Sequence, residues 1–253
     1  MWSRFFSART SGGAATAGDR PQASFGAHIA ADSAAPPATP DEIQRCQQRL
    51  GSVLPAALRQ FLTTRCNGGN FAGGLFHMLG AARPLRHDDL ATWNQVRDWK
   101  SAFPGFELER YVFFADDIFG NQFGYLPGEP DPAVRRFDIQ MGEWLEVSPS
   151  LAHFLEKQVG EEGVWLLGAD FLQAYRSSGH SLEAGLQLSM VIPALLGGSM
   201  EPENLRPIDP ATNLYVAGQL VTRIKPLPPG TEVRGLRVDD ASRSVTFEAR
   251  APR

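Results

Sequence analysis

The sequence predicts an α+β fold, an antiparallel β-sheet packed with helices, with a disordered tail before it and a C-terminal α/β extension after it. Three observations carry this reading. A capped segment with helical spacing opens at Thr39, aromatic and β-branched runs separated by turn residues follow from Tyr111, and a second capped helical stretch follows Ser148. The expected organisation is a flexible tail over residues 1–38, a main domain over 39–159, and an extension over 160–253 that packs on the main domain.

From Ser7 to Ala38 the chain is dominated by Ala, Gly, Ser, Thr and Pro, with too few large apolar side chains to offset the entropy of ordering it. Order is expected from Thr39-Pro40-Asp41-Glu42, a capping box with proline in the first turn. The helix it opens runs to about Leu50, with Ile43, Cys46 and Leu50 on one face. A second helix from Pro55 carries Leu58, Phe61 and Leu62 and stops at Asn67-Gly68-Gly69. Asp88 or Asp89 can cap a third, with Leu90, Trp93 and Val96 turned inward.

The period then changes from helix to strand. Tyr111 to Phe114 and Gln122 to Tyr125 read as two strands around a turn at Asp116 to Gly120, and Ala133 to Asp138 as a third. Ser148-Pro149 reads as a cap and first turn for a helix burying Leu151, Phe154 and Leu155. In the extension, short helices are expected from Asp170 to Tyr175 and from Ser181 to Val191. Strands are expected at Leu214 to Ala217 and Leu220 to Ile224. A hairpin is expected from Val233 to Val238 and Ser244 to Phe247.

Charge and composition exclude several functions. A net charge of −4 and a pI near 5.8 give no electrostatic reason to approach nucleic acid. The start, Met1 to Phe6, lacks the apolar run of an export signal, and the longest apolar stretch, Leu186 to Leu196, is broken by Gln187, Ser189 and Pro193. A cytoplasmic protein with no membrane partner is expected. Cys46 and Cys66 are too far apart for a redox or zinc motif, and each reads as an inert thiol.

Asn67 to Gly74 is Gly-rich but follows a helix and lacks the Lys-Ser/Thr of a phosphate loop, so it reads as a helix stop and tight turn. Asp116 and Asp117 would point to opposite faces of a strand, which speaks against a catalytic carboxylate pair. His77, His87 and His153 are scattered. In His87-Asp88-Asp89 consecutive side chains diverge, so no metal site is expected. Ser199 lies in no nucleophile elbow. No catalytic residue, cofactor site or metal site is expected. The candidates for partner contact are Asp116 and Asp117, in an acidic patch for a basic partner, together with Asn121 and with Trp144 as an aromatic anchor.

The order of motifs resembles the SUKH superfamily, the group of the yeast Smi and Knr cell-wall regulators and of bacterial immunity proteins. The matching features are the capped helix from Thr39, Leu54-Pro55 with Leu58, Phe61 and Leu62, and Asn67-Gly68-Gly69. Further along are Phe113-Phe114-Ala115-Asp116-Asp117, Gly120-Asn121-Gln122-Phe123-Gly124-Tyr125, Val134 before Phe137-Asp138, and Ser148 ahead of Phe154-Leu155. The resemblance implies a protein-binding module, in bacteria mostly an immunity protein that binds and neutralises a toxin domain. The alternative it implies is a regulatory or scaffolding module without a toxin partner, and no enzyme is expected.

Overall fold

The computed structural model describes residues 31–95, 98–161, 166–239 and 242–251. Within them the fold is built on a seven-stranded sheet whose strands follow one another in chain order, each antiparallel to the next. The chain starts with β1 (Ala31–Ala34), α1 (Pro40–Leu50) and α2 (Ala56–Thr64). The short strands β2 (Gly69–Phe71) and β3 (Phe76–Met78) come next, then the one-turn helix α3 (Leu90–Trp93). The sheet is completed by β4 (Val112–Asp117), β5 (Gln122–Tyr125), β6 (Val134–Asp138) and β7 (Glu143–Ser148).

Local chemistry explains the helix ends. Thr39 N–H donates to Glu42 Oε2 at 2.8 Å and Glu42 N–H to Thr39 Oγ1 at 3.3 Å, so both sides of the expected capping box are made. Leu58, Phe61 and Leu62 are buried as expected. At α3 the cap is Asp89, which accepts from Thr92 N–H and leaves Asp88 for other contacts. After β7 the cap of α4 (Leu151–His153) is Ser150, not Ser148. Ser148 Oγ donates to the Ser150 carbonyl and meets His153 Nδ1, because its residue still belongs to the strand. A π-helical stretch, Phe154–Glu161, follows α4.

Residues 1–30 of the expected tail lie outside the described residues. Residues 31–34, read as part of that tail, form the edge strand β1 on β2. Main-chain pairing needs no large side chain, and Gly69 permits it: a Cβ there would lie 2.0 Å from the Ser33 carbonyl oxygen.

The C-terminal part departs further from expectation. α5 (Leu166–Ser177) begins ahead of Asp170, which sits inside the helix instead of capping it. The stretch read as a helix from Ser181 contains Gly185 at φ +86 and then β8 (Gln187–Met190), which pairs with β9 (Leu205–Ile208). The two strands expected between Leu214 and Ile224 are instead one helix, α6 (Pro210–Ile224), capped by Asp209. Its β-branched and aliphatic content follows from being buried on most sides, including Leu214, Val216, Ala217, Leu220 and Val221. Gly218 of this helix lies so close to the Trp99–Ala102 turn that a Cβ would stand 2.5 Å from the Ala102 carbonyl oxygen. The hairpin read near the C-terminus is present as β10 (Glu232–Asp239) and β11 (Ser244–Arg250).

The main core fills both faces of the sheet: Trp93, Trp99, Phe103, Phe113 and Phe137 pack on one, and Phe76, Phe114, Phe123 and Phe154 on the other. Leu188, Leu205, Leu214 and Ala217 belong to the same buried cluster as Leu58, Phe113 and Phe137. A smaller cluster under β11 contains Val216, Leu220, Ile224 and Val245.

Candidate functional site

The sheet register places a polar row across five strands. Ser33 lies opposite Asn70, Asn70 opposite His77, His77 opposite Asp116, and Asp116 opposite Gln122. Directly opposed residues of an antiparallel pair share a face, so these side chains are neighbours by construction. Asn70 Nδ2 donates to Ser33 Oγ at 3.2 Å, and Gln122 Oε1 accepts from Trp93 Nε1 at 2.8 Å.

The loop before α3 folds over this row and adds His87 and Asp88. The His77 and His87 rings stack at 4.3 Å with 29° between their planes, and the edge of Trp93 packs on His87 at 5.1 Å. Two carboxylates flank the stack. Asp116 Oδ2 lies 3.4 Å from His77 Nδ1 and 3.2 Å from His87 Nε2. Asp88 Oδ1 lies 3.3 Å from His77 Nε2 and 3.9 Å from His87 Nδ1. The second oxygen of Asp116 accepts from Gln187 Nε2 at 3.1 Å, and Gln187 Oε1 accepts from Asn213 Nδ2 at 3.0 Å. The extension thereby reaches the row.

His77 and Asp116 are buried, and His87 keeps about a fifth of its side chain exposed. Burial pushes the His77 pKa down, but the Asp116 carboxylate and then Asp88 outweigh it and hold the imidazole at about 9. Burial likewise pushes Asp116 up, and the two histidines reverse this, holding its carboxyl well below the usual range. His77, His87 and Asp116 each offer a ligand atom, all within 4.8 Å of one another. Beside the row lies a cavity of about 300 Å³ whose lining includes Ser33, Asn70, His77, Arg83 and Asp88.

Of the residues singled out for partner contact, Asp116 and Asn121 are buried and Asp117 and Trp144 partly exposed. Asp116 faces the histidines. Asp117, on the opposite face, accepts from Phe119 N–H, Asn121 N–H and Asn121 Nδ2, which closes the turn. Asn121 Oδ1 accepts from Ile139 N–H at 3.1 Å. Trp144 stacks on Tyr111 at 4.1 Å on the outer strand β7. His153 lies apart on α4, whereas His77 and His87, read as scattered, converge. Their convergence depends on the β3–β4 register and on the path of one loop, and neither leaves a local spacing signal. Both thiols are buried: burial raises Cys66 and pushes Cys46 up to about 12, which keeps them protonated. Among the described residues no helix is long and apolar enough to cross a membrane.

Comparison with known proteins agrees with the motif order. The model of the SMI1 / KNR4 family (SUKH-1) matches residues 37–157. No curated protein matches the chain. Among solved structures, the chain is similar to the crystal structure of Atu4351 from Agrobacterium tumefaciens, at 16% identity and a TM-score of 0.48, over 81% of this chain and 87% of that one.

Proposed function

Since residues 37–157 belong to the SMI1 / KNR4 family (SUKH-1), we propose that the chain is a non-enzymatic protein-binding module of the immunity type, which neutralises a toxin domain by covering its working surface. The family match is the observation that carries this reading. The site chemistry is compatible with it, since Asp116, Asp117 and Asn121 spend their polar atoms on the fold's own hydrogen bonds.

The binding surface we assign is the β7 edge of the sheet. Among the described residues β7 pairs with β6 alone, and an open edge strand can bind another chain. Glu143 and Glu146 on it are 63% and 56% exposed, and Trp144 lies between them as a half-buried aromatic anchor. Their contacts with Lys225 at 3.6 Å and Arg135 at 3.8 Å are surface ion pairs, cheap to exchange for partner contacts. Such an edge suits a cationic toxin, whose charge would speed encounter and fix orientation.

The test is co-expression with a candidate toxin domain, sought in the neighbouring reading frames. Rescue of growth and co-purification are expected. Trp144→Ala combined with Glu143→Lys and Glu146→Lys should weaken the complex at least tenfold with the fold intact by circular dichroism. Absence of both rescue and co-purification would sink the immunity reading for that pair. A complex formed equally well by the triple variant would remove the β7 edge from the interface.

A further inference from the structure

We propose that His77, His87 and Asp116 form a site for a divalent transition-metal ion of the zinc class, held by His77 Nδ1, His87 Nε2 and Asp116 Oδ2. The proposal is independent of toxin binding and rests on the geometry of the polar row.

Three donor atoms converge there. Asp116 Oδ2 stands 3.4 Å from His77 Nδ1 and 3.2 Å from His87 Nε2, and all three ligand atoms fall within 4.8 Å of one another. A tetrahedral ion with bonds of about 2.0–2.1 Å needs neighbouring donors about 3.3 Å apart. Two imidazoles and one carboxylate are a donor set that borderline divalent ions favour.

The outer contacts also fit a metal site. Histidine ligands characteristically donate their second ring nitrogen to a carboxylate, which fixes the ring and its tautomer. Here Asp88 Oδ1 lies 3.3 Å from His77 Nε2, and His87 Nδ1 is within ion-pair range of the same oxygen. With the outer nitrogens turned to Asp88, both inner nitrogens face Asp116 Oδ2. A positive charge has to sit there, either on protons or on a metal. Protonating both rings would place two cations in a 4.3 Å stack, whereas one divalent ion neutralises Asp88 and Asp116 and leaves both rings neutral.

The ligands are preorganised. His77 and Asp116 lie on adjacent paired strands, Gln187 holds the free oxygen of Asp116, and Trp93 packs against His87. His87, with 19% of its side chain exposed, is the ligand that reaches solvent. A bound ion would tie β3, β4 and the loop before α3 together and, through Gln187, the extension.

The experiment uses the full chain, stripped with a chelator and dialysed, then titrated with zinc chloride by calorimetry and with cobalt chloride by visible absorption. One equivalent per chain is expected at micromolar affinity or better, with the cobalt bands of mixed nitrogen and oxygen ligation. His87→Gln changes the most exposed ligand and should fold. It and His77→Gln are expected to weaken zinc binding at least tenfold, while His153→Gln leaves it unchanged. Zinc should raise the unfolding temperature of the wild-type chain and not that of His87→Gln. Binding that neither His77→Gln nor His87→Gln alters, or no binding at concentrations up to about 100 μM, would overturn the proposal and leave the cluster as a protonated ion-pair network.

Discussion

Lys100 gives the most quantitative test of the core. It lies 5% exposed beneath the sheet, its ammonium over the Phe113 ring at 5.0 Å. Its hydrogen bonds go to neutral oxygens, Asn94 Oδ1 at 3.1 Å and the Tyr111 carbonyl at 2.8 Å. Burial therefore pushes its pKa down to about 8 from an ordinary 10.5, against a weak opposing pull from Glu109. Below pH 8 the amine is charged in both the folded and the unfolded chain, and folding bears the full cost of burying it. Between about pH 8 and 10.5 the unfolded chain holds more protons, so this residue makes stability rise with pH. At about 1.36 kcal/mol per pKa unit the gain amounts to about 3 kcal/mol.

The assay is urea unfolding of the wild type and Lys100→Met, followed by tryptophan fluorescence from pH 7.5 to 10.5. Titrations common to both proteins, including the raised Cys46 and Tyr125 groups, cancel in the difference. The wild type should gain about 3 kcal/mol on the variant across that range. A difference that stays constant to within about 0.5 kcal/mol would refute the claim that Lys100 is buried as a charge among neutral partners.

Two further substitutions test packing. Gly80→Ala would put a Cβ 2.2 Å from the Asn67 carbonyl oxygen, in a segment where Ala81 N–H donates to Asn67 Oδ1 at 2.6 Å. A loss of about 1–3 kcal/mol is expected in urea unfolding, and an unchanged midpoint would mean the two loops do not meet. Leu214→Ala removes a fully buried side chain that the extension contributes to the main cluster. It should cost about 2–5 kcal/mol in a single cooperative transition. A separate early transition confined to the extension would contradict the shared core.

Much of the fold was legible because it is written locally. The capping box at Thr39, the apolar spacing of α2, the strands near Val112, Gln122 and Val134 and the C-terminal hairpin each follow from a few adjacent residues. The misreadings have separate causes. α6 looks like two strands because β-branched residues were counted over four or five positions. Its Asp209-Pro210 cap and the spacing Leu214, Ala217, Val221, Ile224 declare a helix over the longer window. β1 and β2 carry small residues and glycine, so nothing in their side chains announces a sheet edge. β8 was hidden because its pairing partner β9 is separated from it by a long loop.

The candidate site shows the same division more sharply. Sequence could place Asp116 and Asp117 on opposite faces, because strand side chains alternate, and it could offer Asp88 and Asp89 as alternative caps. It could not bring His77 to Asp116 or lay His87 on His77, since those contacts span 39 and 10 positions and depend on strand register and a loop path. By itself the sequence determined the α+β class, the Thr39 capping box and the apolar faces of α1 and α2, and through its motif order the family resemblance of residues 37–157. Only the tertiary structure decided that three separate polar residues become one charged cluster, because donor convergence depends on side-chain positions that packing sets and neighbouring residues do not encode.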